Sequence, residues 1–234
     1  MTVEQIHAPC CGQTLAAALH LPDAPRPACV IVSHGLFSSK DSPKLIAVGE
    51  YFSAQGIAVL RYDHRGCGQS EGDVARTTVA SRLADLACMV DLALDHPRLG
   101  ESIGLLGSSM GGFISLLHAE RDSRIRALAL WSTPAFIRHP ERDAPPGSAL
   151  QRAAFLADAR DYDARELAPG VHTCLILHGE ADDLVPPFHA QAVHRAVHPP
   201  KRLEVFPGAD HKFSDPDIRT RATRLSFRWF RNHL

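Results

Sequence analysis

The chain alternates between short apolar runs and longer amphipathic stretches. Ala28-Cys29-Val30-Ile31-Val32 is continuously apolar, as a strand buried on both faces of a sheet must be. Comparable runs recur at Ile57–Tyr62, in the stretch before Gly107, and at Arg126–Trp131, Thr173–Leu177 and Arg202–Phe206. Between them the apolar positions shift to helical spacing. Pro43–Gln55 carries Leu45, Ile46, Val48, Tyr51 and Phe52 and stops at Gly56, and Val79–Leu94 sets Leu83, Leu86, Ala87, Val90 and Leu94 on one face. Helices are also predicted after Ser109, over 187–197, and at the end through Trp229 and Phe230. Residues 3–8 and 13–21 read as a hairpin turning at Cys10-Cys11-Gly12, and Pro22–Pro27 is a connector.

Strands that alternate with helices specify an α/β fold. The expected architecture is a mostly parallel sheet with helices on both faces and an antiparallel hairpin at its N-terminal end. The rhythm breaks only at 134–171, rich in Pro, Arg and Asp, with a helical patch near Ala149–Ala159 and no strand. We read this stretch as a cap insertion on the face where strands end, within a single domain spanning 1–234.

Composition narrows the function classes. The chain has 234 residues, 45% hydrophobic and 22% charged, with a net charge of −1, ordinary values for a globular protein with a real core. That charge leaves no footprint for nucleic acid or an anionic membrane. Met1–Ile6 has neither a basic n-region nor an apolar h-region, and no apolar run reaches membrane-spanning length, so the cytoplasm is the expected compartment. The six cysteines (Cys10, Cys11, Cys29, Cys67, Cys88 and Cys174) match neither a zinc site nor a disulfide framework, so reduced, buried thiols are expected. The 14 histidines are scattered without metal spacing, and no metal or cofactor is predicted.

Chemistry concentrates where predicted strands end. Ser102–Gly112 runs from strand into Gly107-Ser108-Ser109-Met110-Gly111 and then into a helix. Gly-x-Ser-x-Gly in that context is a nucleophile elbow, and only Ser109 has glycines at both flanking positions. A serine nucleophile needs a base and a carboxylate that orients it. The loop after Leu177, His178–Pro186, offers Asp182 with Asp183 as its rival. The loop after Phe206 offers His211, with His34 and His178 as rival bases at earlier strand ends. The order Ser109, Asp182, His211 follows. Asp63 and Arg65 offer a charged pair in a glycine-rich loop, and Asp210 reads as a brace for the loop of His211.

With these motifs in place, the chain resembles an α/β-hydrolase. The resemblance rests on Ser33-His34-Gly35, Asp63–Ser70, Gly107–Gly111, His178–Pro186 and Asp210-His211. Within that superfamily it is similar to small-cap esterases and serine-aminopeptidase-like hydrolases, including bacterial feruloyl esterases. The resemblance implies Asp182 as the acid and a structural role for the loop of Asp63 and Arg65, with Gly66 and Gly68 permitting its turn. It also implies an oxyanion hole formed by the backbone amides of Met110 and Leu36, with Phe37 as runner-up donor. Phe37, Phe136 and Val185, with Phe155 and Phe213, are candidates for an acyl pocket or for the core. The expected activity is a cofactor-independent carboxylesterase working through an acyl-enzyme on a small ester with a short or aromatic acyl group. Thioesterase, amidase or peptidase, and perhydrolase or haloperoxidase use the same constellation. A non-catalytic binding protein on this scaffold is the alternative from another class.

Overall fold

The computed structural model describes residues 1–137, 155, 158–168 and 170–234. Its strands are β1 (Thr2–Cys10), β2 (Gln13–Leu21), β3 (Cys29–Ser33), β4 (Ala58–Tyr62), β5 (Ile103–Ser108), β6 (Ile125–Trp131), β7 (Cys174–Gly179) and β8 (Lys201–Phe206). The helices are α1 (Pro43–Ala54), α2 (Val79–Asp95), α3 (Met110–Arg121), the short α4 (Ala164–Leu167), α5 (Phe188–Ala196) and α6 (Pro216–His233). The eight strands form one sheet in the order β1-β2-β4-β3-β5-β6-β7-β8. The β1–β2 and β2–β4 pairs are antiparallel and the remaining pairs are parallel.

Alternation along β3 explains the two faces. Cys29 and Ile31 join the core beneath α2, α3 and α5, whereas Val30 and Val32 join the core beneath α1 and α6. Every residue of β3 is buried, which is why the run is uniformly apolar until Ser33. The face of α2 is rotated from the predicted one. Val79, Arg82, Asp85, Leu86, Met89, Val90 and Ala93 are buried, while Leu83 and Leu94 are only partly so. Two charged residues take core positions because each finds partners there, as described below.

One cysteine expectation is overturned. Cys10 and Cys88 are joined as a disulfide across 78 residues, with their Cα atoms 6.0 Å apart. The hairpin turn brings the end of β1 over α2, a juxtaposition that linear spacing does not reveal. Cys29, Cys67 and Cys174 are free and buried, as expected, but Cys11 is exposed.

Of the predicted insertion at 134–171, the described part packs onto the domain. Phe136 bridges to Asp163, and Phe155, Ala159, Ala164, Ala168 and Val171 are buried in the α2–α3 core. The helical stretch expected over Ala149–Ala159 lies mostly outside the described residues, with Phe155, Asp158 and Ala159 helical among those described.

Strand order positions the site. β3 pairs with β4 on one side and β5 on the other, so the direction of winding reverses at β3. Ligand crevices form outside the carboxyl ends of strands at such a switch point. In register, Ser33 at the end of β3 lies beside Gly107 near the end of β5. The loops that leave these strands, His34-Gly35-Leu36 and Ser109-Met110, are therefore neighbours.

Candidate active site

Ser109 stands between β5 and α3 with φ 56° and ψ −120°, a backbone state that a non-glycine residue adopts only where the surroundings enforce it. Its amide donates to the Trp131 carbonyl at 2.7 Å, anchoring the turn to β6. The glycines serve close approach. A methyl at Gly107 would overlap the Gly111 and Gly112 backbone, and one at Gly111 would overlap the Ser33 carbonyl. We predict that Gly111→Ala costs about 3 kcal/mol, since the obstruction is backbone and cannot swing away. A thermal melt checks this: the midpoint should fall by roughly 6–12 °C, and an unchanged midpoint would contradict the packing described.

The hydroxyl of Ser109 lies 3.0 Å from His211 Nε2, and His211 Nδ1 lies 2.8 Å from Asp182 Oδ2. Asp182 Oδ1 accepts the Val185 and Leu184 amides at 2.8 and 3.2 Å. Burial works against the Asp182 charge, but the His211 hydrogen bond and the Val185 amide outweigh it and hold its carboxyl below the usual range. It therefore stays a carboxylate that accepts the Nδ1 proton of His211 and leaves Nε2 bare toward the serine. Asp183 is exposed and lies outside this line. Asp210 accepts the amide and hydroxyl of Ser214 at 2.8 and 2.6 Å, tying down the loop of His211.

The two rival histidines are engaged elsewhere. His178 Nε2–H donates to the Val185 carbonyl at 2.7 Å, which secures the turn presenting Asp182. His34 Nε2 accepts the His64 amide at 3.1 Å, so its proton sits on Nδ1 and is donated to the Gly35 carbonyl at 2.7 Å. Both rings are buried, and burial is the main cause that pushes each below the ordinary histidine range. His34 thus stays neutral and clamps the loop that carries Leu36.

That loop lies against the serine. A Cβ built on Gly35 would stand 3.5 Å from Ser109 Cβ and 3.9 Å from Ser109 Oγ. Met110 opens α3, so its amide has no intrahelical acceptor. Among the described residues the Leu36 amide has no acceptor either. The Leu36 and Met110 amides, the pair that the resemblance implies as oxyanion donors, are therefore without an acceptor among the described residues, in the loops next to Ser109.

The candidate pocket residues divide. Phe37 is 47% exposed beside the Leu36 loop. Phe136 is half-buried and lies 6.3 Å from the exposed Phe188 ring and 4.7 Å from His189. Phe188, which stacks on His189 at 4.3 Å, escapes a sequence reading because it also begins a helix. Val185 is 7% exposed, and its backbone contacts Asp182 and His178. Phe213 packs on Trp131 and Phe206 with centroids at 5.3 and 5.5 Å and belongs to the core, as does Phe155.

Beneath the site lies a polar network that periodicity does not reveal. Asp63 accepts the Lys40 and Gln69 amides at 2.6 and 2.9 Å, so it is structural. A second Ser-His-Asp line runs from Ser33 Oγ to His64 Nε2 at 2.9 Å and from His64 Nδ1 to Asp85 at 3.4 Å. All three residues are fully buried, so no substrate reaches them. Asp85 also pairs with Arg65 at 2.6 Å, while Arg82 donates to Thr77 and Cys67.

Buried neutral histidines make the fold acid-sensitive. Burial, aided by a nearby cation, pushes His20 (Arg61) and His64 (Arg82) down to about 4, and burial also takes His189 to about 4. The unfolded chain binds these protons near the ordinary value, so stability is lost as pH falls from about 6.5 toward 4. Near pH 5 each group costs on the order of 2 kcal/mol. Urea midpoints should drop steeply between pH 7 and 5, and equal midpoints would contradict these assignments.

An eight-stranded sheet of this order, carrying a serine at a strained strand-to-helix turn, defines an α/β-hydrolase. The chain belongs to the family described as serine aminopeptidase, S33, whose model matches residues 24–159, and it is a hydrolase. It is 32% identical over 108 residues to the palmitoyl-protein thioesterase ABHD10 of Mus musculus, covering 45% of this chain and 34% of that protein. The Rattus norvegicus counterpart is 24% identical over 219 residues, covering 80% of this chain and 69% of that protein. Against the mouse protein the matched span is thus about a third of the relative's length. Among solved structures, Est1E of Butyrivibrio proteoclasticus with ferulic acid bound superposes with a TM-score of 0.82 at 22% identity, covering 97% of this chain and 99% of that one. Mouse ABHD10 superposes with a TM-score of 0.76 at 22% identity, covering 95% and 97%. Among the described residues no helix is long and apolar enough to cross a membrane.

Proposed function

We propose that the protein is a serine carboxylesterase that hydrolyses a small carboxylic ester through an acyl-enzyme. The observation that carries this reading is the unbroken hydrogen-bonded line from Asp182 through His211 to Ser109, beside two free amides. In this mechanism His211 Nε2 takes the Ser109 proton as Oγ attacks the acyl carbon. The amides of Leu36 and Met110 receive the charge that develops on the carbonyl oxygen. The tetrahedral species collapses, His211 protonates the departing alcohol, and Ser109 is left acylated. A water then gives its proton to His211 and attacks the acyl carbon, releasing the acid. Nucleophile, base and oxyanion donors all come from the chain, so the reaction calls for no metal or cofactor.

We infer a short or aromatic acyl group. Phe37 and the Phe136–Phe188 pair offer ring surfaces beside the site loops, and the similar Est1E is named with ferulic acid bound. The stretch at 134–171 is proposed as the cap of a single domain. A thioester is the second reading, because the curated relatives are named palmitoyl-protein thioesterases. Both readings are tested on oxygen ester, thioester and anilide substrates, each made with the same set of short-chain, aromatic and long-chain acyl groups. The ester reading predicts the highest kcat/KM on the aromatic or short-chain ester and the lowest on the anilide. A preference for a long-chain thioester would replace it with the second reading.

A further inference from the structure

Away from this site, three sulfurs converge at the tip of the β1–β2 hairpin. The Cys10–Cys88 bridge ties the end of β1 to α2, and Cys11 Sγ lies 4.0 Å from Cys10 Sγ. The ligand atoms of all three cysteines fall within 4.8 Å of one another. Exposure separates their roles: Cys10 is buried, Cys88 is half-buried and Cys11 is exposed. Cys11 also occupies a turn position with φ 50°, followed by Gly12 at φ 80°, where Asn, Asp or Gly is the usual choice. A further group adjoins the trio. Burial opposes the charge of Arg65, but Asp85 and then the Cys11 sulfur outweigh that and raise it above the ordinary arginine range. A guanidinium held beside Cys11 suits a reaction in which negative charge develops on these sulfurs.

We propose that Cys11, Cys10 and Cys88 form a thiol–disulfide exchange site, in which the exposed Cys11 opens the Cys10–Cys88 bridge for reduction by a small monothiol of the glutathione class. In the first step Cys11, which the exposed turn lets swing into line with the Cys10–Cys88 bond, attacks Cys10 Sγ as the thiolate. A Cys11–Cys10 bond forms as the Cys10–Cys88 bond breaks, and Cys88 leaves as a thiolate that takes up a proton. One thiol and one disulfide are present before and after, so the step needs no oxidant. The monothiol then attacks the exposed Cys11 Sγ, releasing Cys10 as a thiol and leaving a mixed disulfide on Cys11. A second monothiol attacks that mixed disulfide, frees Cys11 and departs as the oxidised dimer. Two electrons pass from two monothiols to the Cys10–Cys88 bridge.

The test compares the protein with Cys11→Ser, which leaves the bridge and the core untouched. Each is treated with reduced glutathione, quenched with acid, alkylated and mapped by peptide mass. A phosphine reductant serves as the control, since it cleaves the bridge without a thiol relay. The proposal predicts that Cys11→Ser slows reduction by glutathione about tenfold or more while leaving reduction by the phosphine unchanged. It also predicts a Cys10–Cys11 disulfide or a Cys11 mixed disulfide in the quenched wild type. Equal glutathione rates for the two proteins would overturn it. So would purified protein with six free thiols under air, or a reduced trio that binds Cd²⁺ while the glutathione rates stay equal.

Discussion

Replacing Ser109 with alanine should abolish ester hydrolysis, with kcat falling on the order of 10⁶-fold, the scale seen when the nucleophile of a triad is removed. The substitution deletes only Oγ. The backbone of the turn is held independently, by the Ser109 amide on Trp131 and by the close packing of Gly107 against Gly111 and Gly112. The melting midpoint should therefore stay close to that of the parent, which separates loss of chemistry from loss of fold. Neighbouring Ser108 is buried in β5, so Ser108→Ala should leave most of the activity in place. Hydrolysis of p-nitrophenyl acetate by the three proteins, with active-site titration, makes the comparison. Full activity in Ser109→Ala would remove the nucleophile from the account.

The second large effect is expected at Asp182→Asn, and hydrogen-bond geometry sets its direction. Oδ1 of Asp182 accepts two backbone amides, from Val185 and Leu184, and Oδ2 makes the shorter contact with His211 Nδ1. An asparagine must keep its carbonyl oxygen on the two amides, because an NH₂ there would face two donors. Its NH₂ is then directed at His211 Nδ1 and forces the proton onto Nε2. That tautomer presents a donor to Ser109 and cannot accept the serine proton. We expect kcat to fall about 10⁴-fold with KM little changed. A loss smaller than about tenfold would mean that Asp182 does not set the tautomer.

Much of the fold was legible because its signals are local. Fully buried strands such as β3 must be apolar throughout, and the elbow announces itself through glycines that backbone packing demands. Outside the insertion at 134–171, the element bounds differ from the expected ones by only one or two residues, as at β3, read as Ala28–Val32 and found as Cys29–Ser33. The positions of Ser109, Asp182 and His211 were legible for the same reason, since each lies in the loop that leaves a strand whose end is plain in the sequence. What escaped depends on contacts between distant segments. Arg82 and Asp85 are polar letters in a helix whose apolar stripe directs attention elsewhere, yet both are buried because Cys67, Thr77, Arg65 and His64 meet them. The Cys10–Cys88 bridge joins a hairpin to a helix 78 residues away, and no spacing rule anticipates it. Phe213 and Phe155 could not be divided between core and pocket until the packing around Trp131 and α3 was known.

The central claim is that Ser109 attacks an acyl carbon with His211 as its base. It is tested most directly by treating the folded protein with a fluorophosphonate and mapping the adduct by peptide mass. The account predicts stoichiometric labelling, confined to Ser109 in the peptide that contains Gly107–Gly111, and lost in both Ser109→Ala and His211→Ala. Labelling at another residue, or none in protein with a normal melt, would contradict it.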